Sequence, residues 1–392
     1  MFSTLPAPAA DPILQTMQMY REDPRASKVD LSVGVYKDDS GLTPVMRAVK
    51  GAERRLVETQ DTKTYTALVG DPAYHAAMAD LLLAGTVPAS RIAAAGATGG
   101  TGAVHVAMQL IHRANPGATI WISAPTWPNH NALATNVGLQ WQSYRYYDAE
   151  TGGIDRAGLW EDLHKAQPGD IVLLHGCCHN PTGADLTGED WSRMADFLAE
   201  RGLVPFIDIA YQGFGEGLDA DAAGLRLLAA RLPRVVIAAS AAKNFGLYRE
   251  RAGIALILCP EDERATVQGT LAVINRGSIS FPPDHGARVV TTILSDTGLR
   301  DQWQTELAEM RDRVNTLRRA LADALREACQ SDRFGYLADQ RGMFSLLGGT
   351  PEQIARLRDE FGVYIVGGGR VNMAGLTMQN IPAVAKAIAQ VL

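Results

Sequence analysis

The sequence predicts an α/β chain, with a large domain built on a mostly parallel sheet covered by helices and a smaller α+β domain formed from the two termini. Three observations carry this prediction. Through the middle of the chain, short apolar runs alternate with helical patterns, the layered α/β signature. The runs are continuously apolar rather than alternating, as burial on both faces of a parallel sheet requires. The pattern then breaks in the last third, where one long helical stretch is followed by short strands.

The first 40 residues lie outside the alternation and are grouped with the C-terminal part, giving a large domain over 40–300 and a small one from 1–39 and 301–392. Strands are predicted at 92–95, 119–123, 170–174, 203–207, 234–239 and 253–258, with helices between them at 101–113, 129–136, 156–166, 187–201 and 221–231. The alternating segment L-Q-W-Q-S-Y-R-Y-Y at 139–147 fits an edge strand. A long helix follows near 300–329, then strands near 343–347 and 363–366 and a last helix near 380–391.

A length of 392 residues suits two domains. Hydrophobic residues make up 46% and charged residues 20%, a soluble globular profile. A net charge of −6 gives no reason to expect nucleic acid or an anionic membrane as partner. No apolar run approaches the ~20 residues of a membrane helix. The N-terminal M-F-S-T-L-P-A-P-A-A-D-P lacks a basic region followed by an apolar one, so no secretory signal is expected. Cys177, Cys178, Cys259 and Cys329 form no CxxC pair and read as reduced thiols of a cytoplasmic protein.

In open parallel sheets, ligands sit beyond the carboxyl ends of the strands. Five successive strand ends here lead into G-A-T-G-G-T-G (96–102), A-P-T-W-P-N-H (124–130), H-G-C-C-H-N-P-T-G (175–183), D-I-A-Y (208–211) and S-A-A-K (240–243). Their convergence on one edge suggests a site for a planar phosphorylated ligand. Taken singly, each has a plainer reading. The glycine loop fits neither G-x-G-x-x-G nor a P-loop; it is an anion site at a helix start or an ordinary tight turn. Asp208 could be an ion pair or a cap, and Trp127 plain core. His175 and His179 flank the cysteines, but contiguous Cys177, Cys178 and His179 are poor geometry for one tetrahedral ion, so no metal is expected. Lys243 lies past a buried strand and near Arg251. Desolvation and a neighbouring cation both favour its neutral, nucleophilic amine, which suits a Schiff-base lysine.

S-A-A-K-N-F-G-L-Y-R-E-R-A-G (240–253), H-N-P-T-G (179–183), D-I-A-Y-Q-G-F (208–214), A-P-T-W-P-N-H (124–130), G-R-V-N-M-A-G (369–375) and L-S-V-G-V-Y-K-D (31–38) together resemble the class I aminotransferases. These are pyridoxal-phosphate enzymes of fold type I, and the likeness is to their aspartate/aromatic amino acid subgroup. It runs from about Asp11 to the C-terminus. The resemblance implies an aminotransferase working by a ping-pong cycle with 2-oxoglutarate as acceptor, and catalytic roles for Lys243, Asp208 and Tyr211. Lys243 would hold the cofactor and shuttle the proton. Asp208 would pair with the pyridinium nitrogen, with His130 behind it. Tyr211 and Asn180 would bond the ring O3′, and Trp127 would stack on the ring. Gly100, Thr101, Ser240 and Arg251 would grip the phosphate, joined by Tyr65 from a second subunit. Arg370 would take the substrate α-carboxylate, beside Trp127 and Asn180, under a mobile segment containing Gly34. Arg276 would reach the distal carboxylate from the partner subunit of a homodimer.

Two departures bear on specificity. Ala241 and Ala242 replace hydroxyl-bearing residues common before the lysine, and Phe281 replaces a small polar residue near Arg276. An aromatic at 281 makes the side-chain pocket more apolar, which leaves aspartate and aromatic donors both open. A pyridoxal-phosphate lyase or decarboxylase on the same fold is the rival within enzymes, and retained Arg276 argues against it. A silent ligand-binding regulator is the rival outside enzymes; the retained Lys243 and the lack of an added DNA-binding segment argue against that.

Overall fold

In the computed structural model, residues 2–5 and 11–392 are described; Met1 and residues 6–10, part of the N-terminal stretch considered above for a signal, lie outside them. In chain order the strands are β1 (Val29–Asp30), β2 (Ile92–Thr98), β3 (Thr119–Ala124), β4 (Gln140–Arg145), β5 (Tyr147–Asp148), β6 (Gly153–Ile154), β7 (Ile171–His175), β8 (Val204–Ile209), β9 (Val235–Ser240), β10 (Ala252–Leu258), β11 (Phe344–Leu346), β12 (Val363–Tyr364) and β13 (Arg370–Asn372).

The apolar runs form one seven-stranded sheet in the order β2-β10-β9-β8-β7-β3-β4. Strands β9, β8, β7, β3 and β4 pair in parallel, whereas β10 runs antiparallel to both of its neighbours. Its continuous apolar sequence looked like that of the parallel strands because two-faced burial sets the pattern, not strand direction. Successive residues divide between two cores: Val172, Leu174, Val235 and Ile237 pack on one face, and Ile171, Leu173, Val236 and Ala238 on the other. β4 is the edge strand; only Tyr144 of it is buried, with its hydroxyl donating to Leu173 O at 2.9 Å.

The predicted helix at 221–231 is two, Leu218–Asp221 and Ala223–Arg231. The Asp221 carboxylate turns back to accept the N–H groups of Gly213, Gly215 and Glu216 at 2.7–2.9 Å, which closes the turn before it. Helices that the periodicity did not reveal include Pro12–Glu22, Pro72–Leu83 and Pro351–Phe361. Each starts with an Asp or Thr cap followed by proline: Asp11, Asp71 and Thr350 all accept N–H bonds from the first turn. That pairing is itself a sequence signal for a helix start.

The long helix Thr297–Cys329 buries Trp303, Leu307, Met310, Val314, Leu317 and Leu321 at three- and four-residue spacing. Beyond it, β1 pairs in parallel with β12, which joins the two ends of the chain, and β11 pairs antiparallel with β13 within the C-terminal part. These sheets bring Arg370, at the start of β13, beside the end of the large sheet.

Candidate active site

One cavity opens at the carboxyl edge of the parallel strands. Into it come Gly100 and Thr101 after β2, Trp127 after β3, Asn180 after β7, Asp208 and Tyr211 from the end of β8, Ser240 and Lys243 from β9 and its turn, and Arg251 before β10. The parallel topology delivers them there, because each such strand ends on the same side.

Lys243 is partly buried. Its Nζ lies 5.4 Å from the centre of the Tyr211 ring and 6.0 Å from that of Tyr248. Burial lowers its pKa from 10.5 to about 8; the Asp208 charge opposes the shift and the Arg251 charge adds to it. A usable fraction of neutral amine therefore exists near neutral pH. The turn is held from below: Ser240 Oγ accepts the Ala242 N–H at 3.2 Å, and Trp303 Nε1 donates to Asn244 O at 2.7 Å while its ring stacks on Phe245 at 4.4 Å.

Asp208 is buried at the sheet edge, and His130 Nε2 lies 2.9 Å from its Oδ2. His130 Nδ1 is 2.8 Å from Thr126 Oγ1, which is 3.1 Å from His175 Nε2. Burial, aided by the His130 charge, lowers the His175 pKa to about 3, so this ring stays neutral. The chain of contacts fixes the Asp208 carboxyl group at the cavity floor.

At the other end lies an anion cradle. The helix Gly99–Ala114 starts without a side-chain cap; the Gly99 N–H goes to Arg251 O at 2.7 Å, and Gly100 and Thr101 of its first turn line the cavity. Gly99 has φ +67°, and a Cβ there would come within 2.5 Å of the Arg251 guanidinium; one on Gly100 would meet Ser240 Cβ at 3.2 Å. Arg251 itself takes φ +54°, a strained backbone for a residue with a side chain. Bare backbone, a hydroxyl and a guanidinium around one space suit a phosphate dianion.

On the open side, Arg370 Nη2 donates to Ser32 O at 3.0 Å, and its guanidinium lies 4.4 Å from the Phe344 ring centre. Phe344 meets Tyr211 edge-on at 6.2 Å. Arg370 Nε and Asn180 Oδ1 are buried with no hydrogen-bond partner among the described residues, so both have bonding capacity for a ligand. A Cβ on Gly34 would strike Phe344 Cζ at 2.7 Å, which sets this segment against the same ring.

Gly34 and Arg370 do not themselves line this cavity, and Tyr65 and Arg276, expected to act in a second subunit, stand apart from it. Tyr65 is 80% exposed and Arg276 is exposed; neither lines it. Tyr65 stacks instead on Phe281 of its own chain, centroids 4.6 Å apart and planes at 15°, and Arg276 Nη1 lies 3.3 Å from Ser280 Oγ. Sequence reasoning passed over Thr126, Phe344 and Trp303 as site components. Thr126 lay in the quoted A-P-T-W-P-N-H, but Phe344 and Trp303 are distant in sequence and carried no local signal.

The family described as aminotransferase class I and II matches residues 26–388. The aromatic-amino-acid aminotransferase of Paracoccus denitrificans is 50% identical over the whole of both chains, and the aspartate aminotransferase of Escherichia coli (strain K12) 43%, again over the whole of both. A crystal structure of an aromatic-amino-acid aminotransferase from Burkholderia pseudomallei, covalently bound to pyridoxal phosphate, superposes with a TM-score of 0.97 at 42% identity, covering 100% of this chain and 99% of that one.

Proposed function

The chain belongs to the class I and II aminotransferases and uses pyridoxal phosphate, and from that premise we propose that it moves the amino group of aromatic amino acids, and of aspartate, to 2-oxoglutarate in two half-reactions. The supporting observation is one cavity that holds Lys243, Asp208, Asn180, Tyr211 and an anion cradle, with Arg370 at its side. When bound, the cofactor supplies the electron sink that makes the substrate Cα–H acidic.

The residues do the rest. Lys243 would hold the cofactor covalently and, once freed, would take and return a proton at Nζ. Asp208, oriented by His130, would pair with the ring nitrogen. Tyr211 and Asn180 would bond the ring oxygen, Trp127 would cover a face, and Gly100, Thr101, Ser240 and Arg251 would bind the phosphate. Arg370 takes the α-carboxylate as a fork, and the Gly34 segment excludes water above it. Tyr65 and Arg276 serve a second copy, so we read the working form as a cytoplasmic homodimer. We place the large domain at 40–300 and the small one at 1–39 and 301–392, with the helix Thr297–Cys329 crossing the boundary.

The Tyr65–Phe281 stack beside Arg276 favours aromatic donors while a cation remains for dicarboxylic acceptors. A donor panel with 2-oxoglutarate tests this. Phenylalanine or tyrosine should exceed aspartate in kcat/KM, and Phe281→Asn should lower that ratio by roughly tenfold. An aspartate-only profile would overturn the aromatic assignment, and release of ammonia or carbon dioxide without acceptor would overturn the transfer itself.

A further inference from the structure

Behind the active-site cavity lies a second one, of about 450 Å³, that shares His175 and Cys177 with it. We propose that Cys177 and Asp221, which line this cavity, form with the adjacent buried Cys178 a binding site for one thiophilic divalent cation of the zinc class.

Adjacent side chains on an extended strand point to opposite faces, which is why contiguous cysteines argue against a shared ligand. The structure removes that objection. Cys178 takes φ +52°, in the left-handed region, and this turn swings the two sulfurs to one side. Such backbone is strained for a non-glycine residue. The Asp221 carboxylate arrives from a different loop, and one oxygen of it and both sulfurs lie within 4.8 Å of one another, all buried. The carboxylate is held in place by the N–H groups of Gly213, Gly215 and Glu216. The Cys178 N–H is fixed in turn by Asp185 Oδ2 at 2.7 Å. Two soft sulfurs and one oxygen, converging without large rearrangement, leave a fourth tetrahedral position open to the cavity.

The charge balance suits burial. Each thiol releases its proton to the buffer as its sulfur–metal bond forms, so one divalent cation replaces two protons and the net charge of the region does not change. Apart from the hydrogen bond between the two thiols, which raises the Cys177 pKa and lowers that of Cys178, burial and the Asp221 and Asp185 charges raise both, with the buried Arg318 opposing the shift at Cys178. Without a metal they are held as thiols, and the cation itself has to displace their protons. The cavity is also lined by Asp185, Asp339 and Glu216, the last paired with Arg341 at 2.6 Å.

The probe is cadmium chloride titrated into the purified holoenzyme, followed by the ultraviolet thiolate-to-cadmium charge-transfer band, with zinc as competitor. One ion per chain is expected, with a rise in thermal midpoint and loss of the band on adding zinc. A Cys259→Ser/Cys329→Ser double variant should bind as before. Cys177→Ser should weaken binding by roughly 100-fold or more, at least what losing an outer-shell partner of a metal site costs. Absence of the band at one equivalent, or its loss in the Cys259/Cys329 double variant, would overturn the site. The double variant retains the proposed donors, so the assignment stands or falls on it even where Cys177→Ser does not fold.

Discussion

Lys243 has to be neutral to attack a carbonyl, and its burial is what makes that affordable near pH 8. The same burial has a stability consequence. The unfolded chain keeps the lysine proton up to its ordinary 10.5, whereas the folded, cofactor-free chain loses it through about 8. Between those values the unfolded state binds more protons, so stability of the cofactor-free protein rises with pH across that window, by up to about 3 kcal/mol. Lys243→Met removes the buried ammonium. Without cofactor it should therefore be the more stable protein at pH 7, and the gap in urea midpoint should close by about pH 10.5. A gap that does not change with pH would mean that burial does not set this pKa. Gly34 offers a second check. Because a Cβ there meets Phe344 Cζ at 2.7 Å, and that ring lies against the Arg370 guanidinium, Gly34→Ala should shift Arg370. KM should rise roughly tenfold for amino and keto acid alike, since small misplacements of a positioning group are costly. Most cavity residues were legible because they occupy strand ends, where type and place both signal chemistry. Phe344 was not, since an aromatic in an apolar run is indistinguishable from core.

At the level of elements, the lysine turn depends on a helix that begins 54 residues later in the chain. Trp303 is fully buried, stacks on Phe245 and donates to the Asn244 carbonyl, one residue from Lys243. Trp303→Phe keeps a ring for the stack and removes the donor, leaving a buried carbonyl unpaired. Destabilisation of about 1–3 kcal/mol is expected in urea unfolding of the holoenzyme; a change near zero would show that the bond does not anchor the turn. The helix itself was visible from its apolar spacing, and the central strands from their continuous runs. Shorter helices opened by Asp-Pro or Thr-Pro escaped a search based on periodicity alone, although their caps were in the sequence. The antiparallel direction of β10 had no signal of its own, because register and direction are settled by pairing partners far away in the chain.

The whole molecule poses the question of where Tyr65 and Arg276 act. They occupy one patch: Asn275, next to Arg276, donates to Leu68 O and Gly96 O at 3.0 Å, and Pro282 packs 3.0 Å from a Cβ built on Gly70. The Tyr65 loop and the end of the Glu261–Ser278 helix are thus held together, displaying a phenol and a guanidinium outward beside exposed Val273. Within one chain these groups touch Phe281 and Ser280 but do not line the cavity, whereas the two-fold partner proposed above would place its cavity against them. Sequence alone suggested this only through resemblance, since no local pattern distinguishes a residue that serves its own site from one that serves a neighbour's. Complementation separates the cases. Lys243→Ala and Arg276→Asp chains are each expected to be nearly inactive with glutamate. Unfolded together and refolded, they would form, in the homodimer proposed above, mixed dimers in which one of the two sites takes its lysine from one chain and its arginine from the other, both intact. Random pairing makes half the dimers mixed, so about a quarter of the wild-type activity should return if the arginine acts across a two-fold interface. If Arg276 instead served its own chain, every site in the mixture would carry one defect, and activity after refolding would stay at the level of the separate variants.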